Sequence, residues 1–460
     1  MLPETAAARA AVEIARRLRQ AGYEALLAGG CVRDLALGGS PKDYDVATAA
    51  EPTRVMEMFP QSYGVGAHFG VVLVETAPGG ERVVTEVATF RSDGSYSDGR
   101  RPDAVRYTTS AAEDAARRDF TINGLFLDPV RAQGNLREAV LDFVGGLDDL
   151  DAGVVRAIGC AEQRFAEDHL RLLRGVRFAA RLRFEIEKQT WSPMRAMASA
   201  LGQVSRERVR DELTRMLTEG SSRRALEMLE ETEMLAVVLP EVARMRGVEQ
   251  PAECHPEGDV WEHTLRLMEQ LETGCSSTLA WGALLHDVGK PTTFRRAPER
   301  IRFDGHVEVG VRMSEEITRR LRFSRDDSEQ IATLVAHHMR FGDVMRMKES
   351  TLKRFFRLES FAEHLALHRM DCLASHGNLG NWKYAKQRWE TTPEVAIHPK
   401  RLVTGRDLIA AGFRAGPGFS KVLQTVEDAQ LERAVTTREA ALKMALKLAQ
   451  AQMSAGETDG

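Results

Sequence analysis

The stretch LLAGGCVRDLALGGSPKDYDVAT, residues 26–48, decides how the rest of the chain is read. A short apolar run, Ala25–Ala28, predicts a strand that ends at Gly29-Gly30, and a helix is expected from about Cys31. Two glycines after a strand let backbone N–H groups come close to a phosphate group, and a following helix N-terminus favours its negative charge. Asp43 and Asp45 follow. If they lie on a strand, the side-chain period of two puts both carboxylates on one face. Such a pair suits Mg²⁺, a hard cation that takes oxygen ligands and keeps positions open for phosphate. Two metals held this way activate an attacking hydroxyl and stabilise a pyrophosphate leaving group.

Outward from this stretch, the first third alternates helix and strand. Residues 4–20 read as an amphipathic helix, and Val71–Glu75 and Val83–Phe90 as β-branched strands. Glu86, on the second of these, is the best candidate for a third metal carboxylate. Residues 91–106 (RSDGSYSDGRRPDAVR) have no apolar period and read as a long loop. Next comes RRDFTIN, residues 117–123, whose Arg118, Asp119 and Asn123 offer donors and acceptors for phosphate and sugar oxygens. Together with Gly29, Gly30 and Arg33 they form the expected nucleotide-binding set.

From about Asp142 the pattern turns helical. FAEDHLRLLRGVRFAARLR, residues 165–183, reads as one helix. At 100° per residue, Glu167, Asp168, Arg171 and Arg174 share an arc of roughly 120°, with Leu173, Val176 and Ala180 opposite and facing the core. A face carrying both acceptors and forked donors meets the requirements of hydrogen bonding to a base edge. In SRERVRDEL, residues 205–213, Arg208 and Glu212 stand one turn apart, which fits an intrahelical brace.

The chain then carries HPEGDVWEHT, LLHDVGKPTTF, FDGHVEVG, LVAHHM and RMDCLASH. His263, His286, Asp287, His306, His338 (preferred over His337) and Asp371 mix imidazole with carboxylate. That donor set favours a transition metal such as Ni²⁺, Mn²⁺ or Fe²⁺ over Mg²⁺. His255, His364, His368 and His376 read as surface or satisfied histidines.

Gly-Gly, Asp-Tyr-Asp and RRDFTIN resemble the signature of the bacterial class II tRNA nucleotidyltransferases, the family of CCA-adding enzymes and poly(A) polymerases. The resemblance implies a polymerase-β-like head in which Asp43 and Asp45 bind the catalytic Mg²⁺. It implies that Glu167, Asp168 and Arg171 select CTP or ATP without a nucleic-acid template. The histidine set resembles an HD phosphohydrolase domain, built on helices around one or two metals. The fold expected is α+β: a small head with a mixed sheet (residues 1–145), then an elongated all-α neck (146–246), an HD body (247–385) and a helical tail (386–460).

The partners implied are CTP, ATP and the 3′ end of tRNA. Family members that add only CC have a shortened loop between the two head motifs, and the loop here is intact, which argues against CC-only addition. Full CCA, A-only and poly(A) addition all stay open, as does an HD phosphohydrolase as the main activity. A non-catalytic RNA-binding protein is disfavoured, because both aspartates, Gly-Gly and RRDFTIN are present.

Composition sets outer bounds. At 460 residues and 43% hydrophobic content, several packed domains are expected. A net charge of −4 does not announce a nucleic-acid binder, but basic runs can still line a local groove. Five scattered cysteines form no CxxC pair and suit a reducing compartment. There is no apolar run long enough for a membrane span and no signal-peptide pattern at the N-terminus, so a cytoplasmic enzyme is expected. The sequence does not indicate an oligomeric state.

Overall fold

A computed structural model describes residues 2–65, 70–93, 105–133, 135–251, 258–298, 300–416 and 418–456. Most of the 91–106 loop, together with Cys254 and His255, lies outside these residues. The chain forms two compact units: residues 1–243 with 272–274 and 320–322, and residues 244–271, 275–319 and 323–460.

The first unit opens with helix α1 (Ala6–Gln20), started by Thr5, whose side chain accepts from the Ala8 N–H at 3.1 Å. Its buried residues Ala8, Ala11, Ile14, Ala15 and Leu18 recur at helical spacing and pack on the sheet. Strands β1 (Ala25–Ala28), β2 (Asp45–Thr48), β3 (Ser62–Gly64), β4 (Val71–Thr76) and β5 (Val83–Thr89) join β8 (Leu125–Leu127) and β9 (Val140–Asp142) in one seven-stranded sheet, ordered β3-β4-β5-β2-β1-β8-β9. The sheet is mixed: β2 and β5 run parallel, and the other neighbours are antiparallel.

The expected loop at 91–106 begins and ends in structure. β6 (Arg91–Asp93) and β7 (Val105–Tyr107) pair antiparallel as a separate ribbon. The intervening residues lie outside the described set. A second correction concerns Asp43, which precedes β2 instead of belonging to it. Exposure still alternates, with Asp43 and Asp45 exposed on either side of buried Tyr44.

After the head the first unit is helical apart from a two-residue parallel pairing of β10 (Val154–Val155) with β11 (Glu185–Ile186). The single helix expected over 165–183 is two. One runs Ala161–Glu167 and the next Leu170–Leu182, and Asp168 between them is extended, with φ −148° and ψ 104°. Leu173, Val176 and Ala180 are buried as expected.

In the second unit, Ser277–Leu285 packs against Arg325–His337, and Val260–Met268 packs against Phe361–Ala374. Phe341, Phe355, Phe356 and Phe361 form an aromatic core beside them. A hairpin of β12 (Arg295–Arg296) and β13 (Ile301–Arg302) interrupts the helices. Helices Gly418–Leu431 and Arg438–Gly456 pack together near the end of the described chain through Val422, Val426, Ala441 and Ala445. Among the described residues, no helix is long and apolar enough to cross a membrane.

Candidate nucleotide site and candidate metal centre

Strand register assembles the head site. β1 pairs with β2 so that Ala28 faces Asp45, placing Gly29-Gly30 beside that carboxylate. β2 pairs with β5 with Val46 opposite Val87, which brings Glu86 alongside Asp45. Gly29 has φ +72°, and a Cβ there would lie 2.9 Å from Arg118 Nη1, so only glycine allows this approach. Asp45, Glu86, Gly29, Gly30, Arg33, Arg118, Asp119, Asn123, Asp168, Arg171 and Arg174 all line one cleft of about 630 Å³.

Two expected residues are outside that lining. Asp43 stands next to it and acts on Asp45 through its charge, and Glu167 lies behind Arg171. Asp45 is open to the cleft yet ringed by protein. This loss of bulk water, then the charge of Glu86 and, more weakly, of Asp43, raise its pKa to about 6, against the opposing pull of Arg118. Desolvation likewise raises Glu86. Crowded carboxylates that resist ionisation, all hard oxygen donors, fit a divalent cation such as Mg²⁺.

The RRDFTIN residues are knitted together by polar contacts. Asp119 Oδ1 accepts from the Phe120 N–H at 2.8 Å and Asn123 Nδ2 at 3.0 Å, and Oδ2 accepts from Arg174 Nε at 2.7 Å. Burial opposes its ionisation, but the Arg174 guanidinium outweighs this and holds Asp119 well below the ordinary carboxylate range. Arg33 Nη1 donates to Asn123 Oδ1 at 2.7 Å.

Sequence reading missed Asp114. Buried on helix Ala111–Ala116, it accepts from Arg117 through Oδ1 at 2.6 and 2.9 Å and from Arg118 through Oδ2 at 3.0 and 3.2 Å. The backbone N–H of Arg91, at the foot of the loop, donates to the same Oδ1 at 3.2 Å. An acid three and four residues before an arginine pair was the available signal.

Behind the base-reading candidates, Arg171 donates to Glu167 Oε2 and to the Arg117 carbonyl oxygen. Asp168 is gripped by Arg208, Nη2 to Oδ2 at 2.7 Å and Nη1 to Oδ1 at 3.1 Å. This overturns the intrahelical brace expected between Arg208 and Glu212. Glu212 instead accepts from buried Arg177 Nε at 2.6 Å, and Arg208 lines the cleft.

In the second unit the six HD candidates converge as two groups, His263–His286–Asp371 and Asp287–His306–His338, with ligand atoms within 4.8 Å of one another in each. His286, His306 and His338 each place Nδ1 against the carbonyl oxygen three residues earlier, at 2.8, 2.9 and 2.7 Å. That contact turns each Nε2 inward. Gly289 is required here, because a Cβ would meet the His306 carbonyl oxygen at 2.1 Å.

Asp287 Oδ1 lies 3.8 Å from His306 Nε2 and 3.7 Å from His338 Nε2, and all three atoms are buried without a hydrogen-bond partner. Burial works against an ionised Asp287, but Lys290 at 2.7 Å and the neighbouring imidazoles hold it well below the usual range. Burial lowers His338 to about 4, keeping it neutral, as a ligand must be. Orphaned inward atoms of this mixed nitrogen–oxygen set fit a first-row transition metal.

His364 corrects the reading of surface or satisfied histidines. It is 1% exposed, with neither ring nitrogen hydrogen-bonded. His368 is buried against Phe341, ring centroids 4.4 Å apart. His376 is exposed, its Nδ1 accepting from the Asn378 N–H. Cys31 and Cys372 are buried, Cys275 is half-buried and Cys160 is exposed.

A strand–Gly-Gly turn, paired carboxylates and an arginine-lined cleft define a nucleotidyltransferase head, and known proteins agree. Residues 25–156 match the family "Poly A polymerase head domain", 183–245 match "Probable RNA and SrmB- binding site of polymerase A", and 259–374 match "HD domain". The CCA-adding enzyme of Levilactobacillus brevis is 30% identical over 415 residues, 90% of this chain and 91% of that protein. The chain belongs to the CCA-adding enzyme family. The CCA-adding enzyme of Geobacillus kaustophilus is 38% identical over 226 residues, 49% of this chain; there the chain spans about half, 53%, of its relative. The Bacillus stearothermophilus CCA-adding enzyme in complex with CTP is similar in structure, with TM-score 0.75 and 25% identity over 98% of this chain and 99% of that one. The Thermotoga maritima enzyme complexed with tRNA shares the fold, with TM-score 0.55 and 18% identity over 95% and 94% of the two chains.

Proposed function

We propose that this protein transfers CMP and AMP from CTP and ATP to the 3′ end of tRNA, using the protein itself to choose the base. The observation that carries the reading is the single cleft in which Gly29-Gly30, Asp45 with Glu86, and Asp168 with Arg171 face one another. Backbone groups at Gly29-Gly30, with Arg33 and Arg118, receive the triphosphate, and Asp119 and Asn123 orient the ribose. Asp168 accepts from an exocyclic amine, and Arg171 donates to the ring edge. The tRNA 3′ hydroxyl forms a new P–O bond to the α-phosphate as the bond to the β-phosphate oxygen breaks and pyrophosphate leaves. Asp43, Asp45 and Glu86 would hold Mg²⁺, which supplies hydroxyl activation and neutralises phosphate charge. The division into head, neck, HD body and tail, and a cytoplasmic setting, belong to the same proposal.

The test uses the full chain with Mg²⁺, labelled CTP and ATP, and two primers, tRNA lacking CCA and tRNA ending in CC. Ordered addition of two CMP and one AMP to the first is the expected result. AMP addition to the second primer alone would make it an A-adding enzyme. Long A tails would make it a poly(A) polymerase. No incorporation on either would overturn the assignment.

A second reading rests on the orphaned Asp287, His306 and His338 atoms: the second unit is an accessory metal-dependent phosphohydrolase. A protein with no metal there has no physical reason to bury three inward-facing ligand atoms without partners. Metal analysis after Ni²⁺ or Mn²⁺ reconstitution should find the ion in the wild type and not in His286→Ala/Asp287→Ala. That double variant should lose phosphodiesterase activity and keep CTP and ATP addition. A metal-free wild type without hydrolysis would reduce the unit to a structural body.

A further inference from the structure

Phe178 follows Arg174 by one turn on helix Leu170–Leu182 and is buried in the wall of the nucleotide cleft. Three guanidiniums crowd its ring. Their central carbons stand 5.1 Å (Arg33), 5.1 Å (Arg174) and 4.4 Å (Arg177) from the ring centroid. Phe120 meets the same ring edge-on, with centroids 5.9 Å apart. Arg174 is bound to Asp119 and Arg177 to Glu212. Arg33 donates through Nε to Asp34 Oδ1 at 2.8 Å and through Nη1 to Asn123 Oδ1 at 2.7 Å, and it shares Asp34 with Arg181.

Like charges this close repel one another, and lost water adds to the cost. Burial first, with Arg181 and Arg177 adding to it, pushes Arg33 below the ordinary arginine range against the pull of Asp34. The face of an aromatic ring carries partial negative charge and attracts a guanidinium, more strongly out of water. Phe178 can therefore stabilise Arg33 as a second carboxylate would, without a net negative charge to repel a triphosphate. We propose that Phe178 is a positioning residue for nucleotide addition: its ring holds the Arg33 guanidinium ready for the triphosphate and ties it to the helix that carries Arg171. Binding then needs no rearrangement of the receiving cation, and that preorganisation appears as affinity. The role rests on the nucleotidyltransferase reading of the cleft and adds to it a residue that acts through Arg33.

The test uses the full chain with phenylalanine carrying one or three ring fluorines at position 178, which keeps the ring's shape and drains its negative face. On tRNA lacking CCA, KM for CTP and ATP should rise together with each step of fluorination, by about 5-fold at three fluorines, the scale of one cation–π contact. Inhibition by inorganic pyrophosphate, which has phosphates and no base, should weaken in parallel. KM for tRNA, the choice of CTP and ATP over UTP and GTP, and the melting temperature should stay close to wild type. Flat KM values across the series would make Phe178 a packing residue only and leave the nucleotidyltransferase reading standing. A rise in KM without weaker pyrophosphate inhibition would remove Arg33 from the account and overturn the proposal. A wild type that adds no nucleotide would overturn both.

Discussion

Arg208 and Asp168, forty residues apart, meet in a two-bond fork with Nη2–Oδ2 at 2.7 Å and Nη1–Oδ1 at 3.1 Å. The fork fixes the plane of the carboxylate proposed to read the base. Asp168 makes this contact from an extended backbone between two helices. Arg208 is then a positioning residue for base choice. Arg208→Ala should lower discrimination of CTP and ATP against UTP and GTP by about 10-fold, the scale of a lost charge-assisted bond, with a smaller loss of total incorporation. Misincorporation ratios on tRNA lacking CCA provide the measurement. A variant that loses rate but keeps full selectivity would restrict Arg208 to a structural role.

Asp114 holds both arginines of the RRDFTIN motif. Burial raises the cost of its charge, and Arg117 and Arg118 more than offset it, keeping the carboxylate below its ordinary range. Asp114→Ala should destabilise the first unit by about 3 kcal/mol, as breaking one side of a buried ion pair does. Because Arg118 lines the cleft, the variant should also raise KM for CTP and ATP together. Asp114→Glu should restore part of the loss. Thermal unfolding and steady-state kinetics on the same preparations check both parts; unchanged KM values with lost stability would detach Asp114 from nucleotide binding.

The head was legible because its chemistry sits in short local patterns. Strand, Gly29-Gly30 and the acidic residues follow one another within 26–48, and alternating burial around Tyr44 is what a period of two predicts. Strands β8 and β9 were missed because each spans three residues, too few for a period to emerge. The break at Asp168 was invisible for a different reason. Nothing in FAEDHLRLL forbids a continuous helix, and the residue that grips Asp168 lies on another helix. Asp114 in AAEDAARR looks like a solvated helix charge until tertiary packing buries it. The six HD candidates were readable as donors, but their sorting into two groups of three depends on helix packing that no local pattern encodes.

Asp45, lifted to about 6 by desolvation and then by Glu86 and Asp43, makes metal binding compete with protons. Between pH 8 and 6 the Mg²⁺ concentration needed for half-maximal nucleotide addition should rise, since a growing share of Asp45 is protonated without metal. The sign for stability is the reverse of the usual aspartate. A raised folded-state pKa means the metal-free fold is disfavoured above about pH 6 and relieved as pH falls. Asp45→Asn should therefore raise the metal-free melting temperature at pH 7.5, with a gain that shrinks towards pH 5, while abolishing addition. Equal melting curves at pH 7.5 would mean that the carboxylate crowding is relaxed in solution.

His364 gives the second unit an acid sensitivity of its own. Burial first, then the neighbouring His337, lower its pKa from 6.5 to about 4, and its ring lies between Phe361 and His337 with no hydrogen bond to either nitrogen. The unfolded chain takes up a proton near pH 6.5 and the folded chain does not until about pH 4. Its contribution to stability is thus fully present above pH 6.5, falls as pH drops through that window and levels off below 4. The span corresponds to roughly 3 kcal/mol. His364→Leu removes both the titration and two unsatisfied nitrogens, so it should stabilise the unit at neutral pH and flatten its melting temperature between pH 6.5 and 4. The difference between wild type and variant at each pH, followed by circular dichroism on metal-free protein, isolates His364 from His338, which is also held near 4 and titrates in both. A variant that melts as steeply with acid as wild type would place the sensitivity elsewhere, with His368, also held near 4 by burial, next to be replaced.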